Sequence, residues 1–153
     1  MNILNRIIDV HEAESPTRQT PFVSSRPMQF LLIDDSDIDN AVNTKLLKLS
    51  RMTKDVTSFT DPQQALRHIE RHGPTWTSPR WILLDIQMPN LNGFEWLELF
   101  RELPDSVQSM CRIYMLSASI DRSELQRAED DSSVIALMEK PLDVYMFRQL
   151  VDL

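Results

Sequence analysis

The 153-residue, 17.9 kDa chain is long enough for one hydrophobic core and too short for two ordinary domains. Its 42% hydrophobic and 25% charged residues are those of a soluble globular protein. Sixteen basic against 23 acidic side chains leave a net charge of −7, which repels nucleic acid and anionic membrane, and no local basic patch offsets it. No apolar run approaches the roughly 20 residues that span a bilayer, no secretory pattern opens the chain, and the lone Cys111 excludes an internal disulfide, so the expected location is cytoplasmic.

In residues 1–27, Ile3, Leu4, Ile7 and Ile8 have helical spacing and Ser15 to Pro27 is rich in Ser, Thr and Pro; this stretch reads as a docking helix plus linker outside the domain. Phe30 to Ile33 is a short apolar run stopping at Asp34-Asp35, which predicts a buried first strand with two carboxylates at its C-terminal end. Ser36 is placed to cap a helix over Asp37 to Ser50, in which Ile38, Val42, Leu46 and Leu49 make an apolar stripe expected to face the sheet. Asp55 to Phe59 reads as a more polar strand. Asp61-Pro62 starts a second helix with Ala65, Leu66 and Ile69 inward, ending near Gly73.

Trp81 to Leu84 is a third apolar run, ending on Asp85 and a turn with Pro89 and Gly93. Asn92-Gly93 opens a third helix, with Leu97, Phe100 and Leu103 apolar and Pro104 as its stop. Ile113 to Leu116 makes a fourth strand terminating at Ser117-Ala118-Ser119. Asp121 with Glu124 caps a thin fourth helix (Leu125, Ala128), expected to be marginal. Val134 to Met138 is the fifth strand, followed by Glu139-Lys140-Pro141 and a closing helix capped by Asp143. Alternating strands and helices with short loops imply a parallel sheet, right-handed crossovers and helices on both faces.

Parallel strands share one C-terminal edge, where open α/β sheets bind ligands. That edge collects Asp34, Asp35, Asp85, Ser117 and Lys140. Taken alone, Asp85 reads equally well as a nucleophile or metal ligand and as a turn former. Taken together, three carboxylates repel one another unless a cation sits among them, and an oxygen-only donor set points to Mg²⁺. Lys140 and the Ser117 hydroxyl then supply a point charge and a donor for a phosphoryl group, and Asp85 is equipped to attack phosphorus.

Ile33-Asp34-Asp35, Leu84 to Pro89 with Gly93, Met115-Leu116-Ser117-Ala118 and Glu139-Lys140-Pro141, in that order, resemble the receiver domain of two-component response regulators over about residues 28–153. The resemblance implies a flavodoxin-like five-stranded parallel sheet of order 2-1-3-4-5 with five helices, a three-layer α/β/α sandwich. It also implies Asp85 as phosphoacceptor, and Mg²⁺ held by Asp34, Asp35, Asp85 and the Gln87 backbone carbonyl. Ser117 would be the switch hydroxyl, Lys140 the essential cation, and the Lys140–Pro141 bond cis. Gln87 and Ser119 fall where the family tunes the acyl phosphate's lifetime.

The implied donor is a sensor histidine kinase or a histidine phosphotransfer protein. A downstream protein would read the switched surface, and a homodimer, if one forms, would use the fourth and fifth helices. Leu137 departs from the pattern, standing where many receivers carry a Tyr or Phe, so the readout is expected in backbone shifts of the fourth helix and its loop. The closing helix ends with the chain, so no output domain is expected. The resemblance implies a signalling domain rather than an enzyme acting on an external substrate. Two other readings use the same residues. A Mg²⁺-dependent phosphohydrolase usually needs a second aspartate two residues after the nucleophile, where Gln87 stands; a phosphate-free interaction module has no use for the intact constellation. Three side features have bland readings: His68 and His72 as a solvated helix face rather than a metal clip, Trp76 as a partner contact or a cover for the sheet edge, and Cys111 as a buried small hydrophobe. Trp81 and Trp96 are expected near enough to the site to report Mg²⁺ by fluorescence.

Overall fold

The apolar runs form the strands, in a computed structural model that describes residues 28–152; the expected docking helix and linker of residues 1–27 lie outside the described residues. The elements are β1 (Gln29–Ile33), α1 (Asp37–Leu49), β2 (Asp55–Phe59), α2 (Pro62–His72), a 3-10 turn (Gly73–Thr75), β3 (Arg80–Asp85), α3 (Gly93–Phe100), α4 (Asp105–Gln108), β4 (Cys111–Ser117), α5 (Arg122–Asp130), β5 (Val134–Glu139) and α6 (Val144–Asp152). The sheet is parallel throughout in the order β2-β1-β3-β4-β5. That is the expected flavodoxin-like arrangement.

Side chains alternate along each strand and so fill two cores. Leu31, Ile33, Ile82 and Leu84 pack with Ala65 and Ile69 of α2, Trp96, Leu97 and Phe100 of α3 and Ala128 of α5. Phe30, Leu32, Leu83 and Leu116 pack on the other face with Leu47 of α1 and Phe147 and Leu150 of α6. Burying the strands on both faces is what a near-continuous apolar run requires. β2, at the sheet edge, is correspondingly the most polar and exposed strand.

Two expectations need correction. A sixth, single-turn helix, α4, follows Pro104: the proline carbonyl accepts the Val107 and Gln108 amides at 2.9 and 3.0 Å, and Val107 is buried. Proline ends α3 and begins a new turn, since it lacks a donor but keeps its acceptor. The second correction concerns α1, whose apolar stripe faces solvent: Ile38 is 74% and Leu49 70% exposed, and Val42 is also exposed. The buried face is Asn40, Asn43 and Leu47. The Asn40 amide nitrogen donates to the carbonyls of Asp34 (3.0 Å) and Phe59 (3.2 Å), tying the ends of β1 and β2 to the helix. Satisfying those buried acceptors sets the rotation of α1, and the stripe points outward.

Candidate functional site

The loops at the C-terminal edge are fixed by backbone chemistry before any side chain acts. The Ser36 amide donates to Asp34 Oδ1 at 2.9 Å, and the Ser36 hydroxyl accepts the Asp39 amide at 3.2 Å, so the Asp34-Asp35 pair sits in the turn that caps α1. After β3 the chain folds back on itself, with the Gly93 amide bonded to the Ile86 carbonyl at 2.8 Å. A Cβ at Gly93 would lie 2.7 Å from the Asp85 carbonyl oxygen and 3.0 Å from Ile86 Cα, so only glycine permits this return. Asn90 takes the left-handed conformation (φ 68°), and Asn92 and Glu95 form a capping box that starts α3.

Four of the expected residues converge. Oxygens of Asp34, Asp35 and Asp85 lie within 4.8 Å of one another, Asp34 and Asp85 buried and Asp35 exposed. Lys140 Nζ stands 2.8 Å from Asp34 Oδ2, 3.1 Å from Asp39 Oδ2 and 3.3 Å from Asp85 Oδ1. The Lys140–Pro141 bond is cis, as expected. Burial, reinforced by the Asp34 charge, pushes the Asp85 carboxyl up to about 6 against the pull of Lys140. Burial would lower the Lys140 pKa, but its hydrogen bonds to Asp34 and Asp39 and the Asp85 charge outweigh it, and the ammonium is held above its ordinary range.

One ammonium among four carboxylates leaves a negative excess facing the exposed Asp35. An all-oxygen donor set of this kind fits a hard divalent cation such as Mg²⁺, which retains water and needs few protein ligands. Chemically, the pocket can bind such an ion, keep Asp85 ionised at neutral pH and offset charge on an incoming anionic group.

Ser117 and Gln87 lie beside this cluster but engage elsewhere. Ser117 follows Leu116, the register partner of Asp85, and is fully buried. Its hydroxyl faces the Ser119 carbonyl at 2.9 Å and Glu124 Oε2 at 3.0 Å. The Gln87 side-chain amide donates to Glu124 Oε1 at 3.1 Å, while the Gln87 backbone N–H makes only a long, 3.4 Å approach to Asp85 Oδ1. Asp39 and Glu124 were not anticipated as parts of the site. Asp39 carries a sequence signal, being one turn into a helix that begins at the aspartate pair. Glu124 was read as half of a cap. Its amide does bond Asp121 at 2.7 Å, yet its carboxylate reaches across to Ser117 and Gln87.

The side features resolve into packing. The His68 and His72 rings meet at 4.6 Å, tilted by 46°, but among the described residues the one cluster of three or more metal-ligating side chains is the aspartate trio. Trp76 lies under the Arg80 guanidinium at 4.6 Å and covers the first core. Cys111 is half-buried, its thiol pushed up to about 12 by burial, which suits a packing residue. Trp81 sits at the far end of β3, about 13 Å of strand from Asp85, so it does not adjoin the site as expected, and Trp96 is fully buried with its indole N–H on the Pro62 carbonyl.

Comparison with known proteins gives the same placement. A family model described as "Response regulator receiver domain" matches residues 30–152. Response regulator Rcp1 of Synechocystis sp. is 31% identical over 84 residues, 54% of this chain and 57% of that protein, so the match spans little more than half of the curated relative. A response regulator receiver protein from Dyadobacter fermentans superposes with a TM-score of 0.76 at 36% identity, covering 82% of this chain and 95% of the other. A two component response regulator from Cytophaga hutchinsonii gives 0.74 at 28% identity, covering 83% and 96%. With the fold, the clustered acid pocket and the family match in agreement, the chain belongs to the response regulator receiver domain family.

Proposed function

We propose that this receiver is a phosphoacceptor. A phosphohistidine on a sensor kinase or phosphotransfer protein donates its phosphoryl group to Asp85, and the modified domain presents an altered surface to a downstream protein. One observation carries the reading: a buried carboxylate with its pKa near 6, touched by an ammonium and flanked by two more carboxylates at the edge where ligands bind. An Asp85 oxygen attacks phosphorus, the P–N bond breaks, and the imidazole leaves. Hydrolysis later returns the carboxylate and inorganic phosphate.

Lys140 holds its positive charge against Asp34, Asp39 and Asp85 and offsets the phosphoryl oxygens as they arrive. Ser117 has one hydroxyl proton to offer the same oxygens. Mg²⁺, held by Asp34, Asp35, Asp85 and the Gln87 backbone carbonyl, would neutralise charge that a lone ammonium leaves uncompensated. Gln87 and Ser119 would govern water access to the acyl phosphate. The domain would run over residues 28–153 and work in the cytoplasm; no helix among the described residues is long and apolar enough to cross a membrane.

The outward stripe of α1 supports a protein donor. Ile38, Val42 and Leu49 are exposed, joined by Tyr145 on α6, and a groove of about 330 Å³ lies between the two helices beside Leu46, Leu49 and Tyr145. Ile38 adjoins Asp39, which touches Lys140, so the apolar surface begins at the rim of the acid pocket. The large apolar side chains exposed among the described residues are Ile38, Val42, Leu49, Leu99 and Tyr145, with none on α5. Of α5 and α6, the expected fourth and fifth helices, only α6 carries an exposed large apolar side chain, Tyr145, and that distribution favours donor docking at α1 over dimerisation through α5 and α6. Incubation with Mg²⁺ and acetyl phosphate tests the chemistry: intact mass should show one added phosphate on the wild type and none on Asp85→Asn. Absence of uptake by the wild type contradicts the proposal, and continuous turnover of phosphate esters would favour a phosphohydrolase.

A further inference from the structure

We propose that Glu124 is a latch on the switch: one carboxylate that holds the Ser117 hydroxyl and the Gln87 amide away from Asp85, so that phosphoryl arrival must release α5. The inference rests on the phosphoacceptor reading above. It concerns a residue to which neither the fold nor the pocket chemistry assigns a role.

Glu124 spends its two oxygens on the two neutral groups that flank Asp85. Oε2 takes Ser117 at 3.0 Å and Oε1 takes Gln87 at 3.1 Å, and among the described residues neither side chain is bonded to Asp85. Ser117 has a single proton and faces two acceptors, Glu124 and the Ser119 carbonyl, so it cannot serve a phosphoryl group without leaving them. A phosphoryl group brings up to two negative charges and three acceptor oxygens to within reach of the same hydroxyl. The donor then has a competing anion on each side, and the Glu124 carboxylate is left without its partners beside a like charge.

The consequence falls on α5, because Glu124 lies in its first turn. Ala128 is the helix's one fully buried residue, Leu125 only packs against the core from a half-buried position, and Asp121 caps its start. Few apolar contacts hold such a helix, so two polar bonds are a large share of what fixes its N-terminal turn. Leu137, wholly buried on β5, offers no polar handle for reporting the site's state. Glu124 supplies one instead: the Ser117 and Gln87 donors turn inward, the first turn of α5 loosens, and the surface around Ala118, Ser119 and Arg122 changes. Glu124 is thus a positioning residue, acting through Ser117 and Gln87 and never on phosphorus.

The test compares full-length wild type, Glu124→Ala and Glu124→Gln, each also in a Ser117→Ala, Gln87→Ala background, with Mg²⁺ and acetyl phosphate; the carboxylate attacks phosphorus and acetate leaves. Removing the latch should speed uptake on the order of fivefold, the factor one net hydrogen bond carries, with Glu124→Gln intermediate because its amide oxygen still accepts. In the double-mutant background the same change should alter uptake by less than about twofold. Hydrogen exchange over residues 118–127, read without phosphodonor, should rise in Glu124→Ala to the level wild type reaches with Mg²⁺ and beryllofluoride, and Glu124→Gln guards against a folding defect in the alanine variant. Unchanged uptake and exchange in both variants overturn the latch while leaving the phosphoacceptor intact. An equal acceleration in the double-mutant background also overturns it, by showing a general charge effect. A wild type that takes no phosphate defeats both readings.

Discussion

The two sides of the site are built differently. On the β1 and β3 side, the Asp34 and Asp85 carboxylates stand at strand ends and are each paired with the Lys140 ammonium, at 2.8 and 3.3 Å. On the β4 side, Ser117, Gln87 and Glu124 form a network around one carboxylate, resting on a helix with little apolar anchorage. Charge that must be in place before a phosphoryl group arrives belongs on rigid elements, because reorganising it during transfer would raise the barrier. Groups that report the event must be able to exchange partners, which asks for weak, competing bonds. In the proposed function the pocket is thus a fixed half for the chemistry and a movable half for the signal.

The sharpest break falls on the fixed half. Lys140→Met should slow uptake from acetyl phosphate by at least about a hundredfold, since it removes the one ammonium in contact with Asp85 among the described residues. It should also lower stability by about 2 kcal/mol in Mg²⁺-free buffer, because breaking a buried ion pair strands its partners and Lys140 is partly solvated. Paired uptake and urea-melt measurements check both effects; a variant with wild-type uptake would show that the ammonium is not used.

Asp85→Asn should do the opposite to stability while abolishing uptake. The folded pKa of Asp85, about 6, lies above the ordinary aspartate value of 3.8, so the folded state binds the proton more tightly and the wild type loses stability as pH rises from about 4 through 6. Below that window the two proteins should match, and above it the asparagine variant should be more stable by on the order of 2 kcal/mol. Added Mg²⁺ should narrow the gap. A wild type as stable as Asp85→Asn at pH 7.5 without Mg²⁺ would mean that the buried charge carries no such strain.

A third comparison sets the two faces of α1 against each other. Leu47→Ala opens the second core and should cost about 3 kcal/mol. Ile38→Ser with Val42→Ser should change stability by less than about 1 kcal/mol, since both side chains already face water. The serine pair should keep acetyl phosphate uptake and lose at least tenfold in transfer from a phosphohistidine protein; equal loss with both donors would place the defect in the pocket instead.

The same contrast explains what was readable from sequence. Strand ends were legible because an apolar run stopping on a polar residue is a local signal: Asp34, Asp85 and Ser117 each close such a run, and Lys140 follows the Glu139 that closes the fifth. The rotation of α1 was not, because an apolar stripe says that a face is sticky without saying what covers it. The deciding fact was Asn40 bonding two carbonyls from different strands. Asp39 and Glu124 escaped for a related reason. Each looks like an ordinary residue of a helix's first turn, and its partner lies across the fold: Lys140 is 101 positions from Asp39, and Gln87 is 37 from Glu124.

Chemical trapping of the acyl phosphate tests the central claim most directly. Protein phosphorylated with acetyl phosphate and Mg²⁺, then reduced with borohydride, should carry homoserine in place of Asp85 when peptides are sequenced by mass spectrometry. The modification should disappear when the donor is omitted. Homoserine at Asp34 or Asp35, phosphate retained on Ser117 or a histidine, or no modified residue would contradict the assignment of Asp85 as the group that receives phosphate.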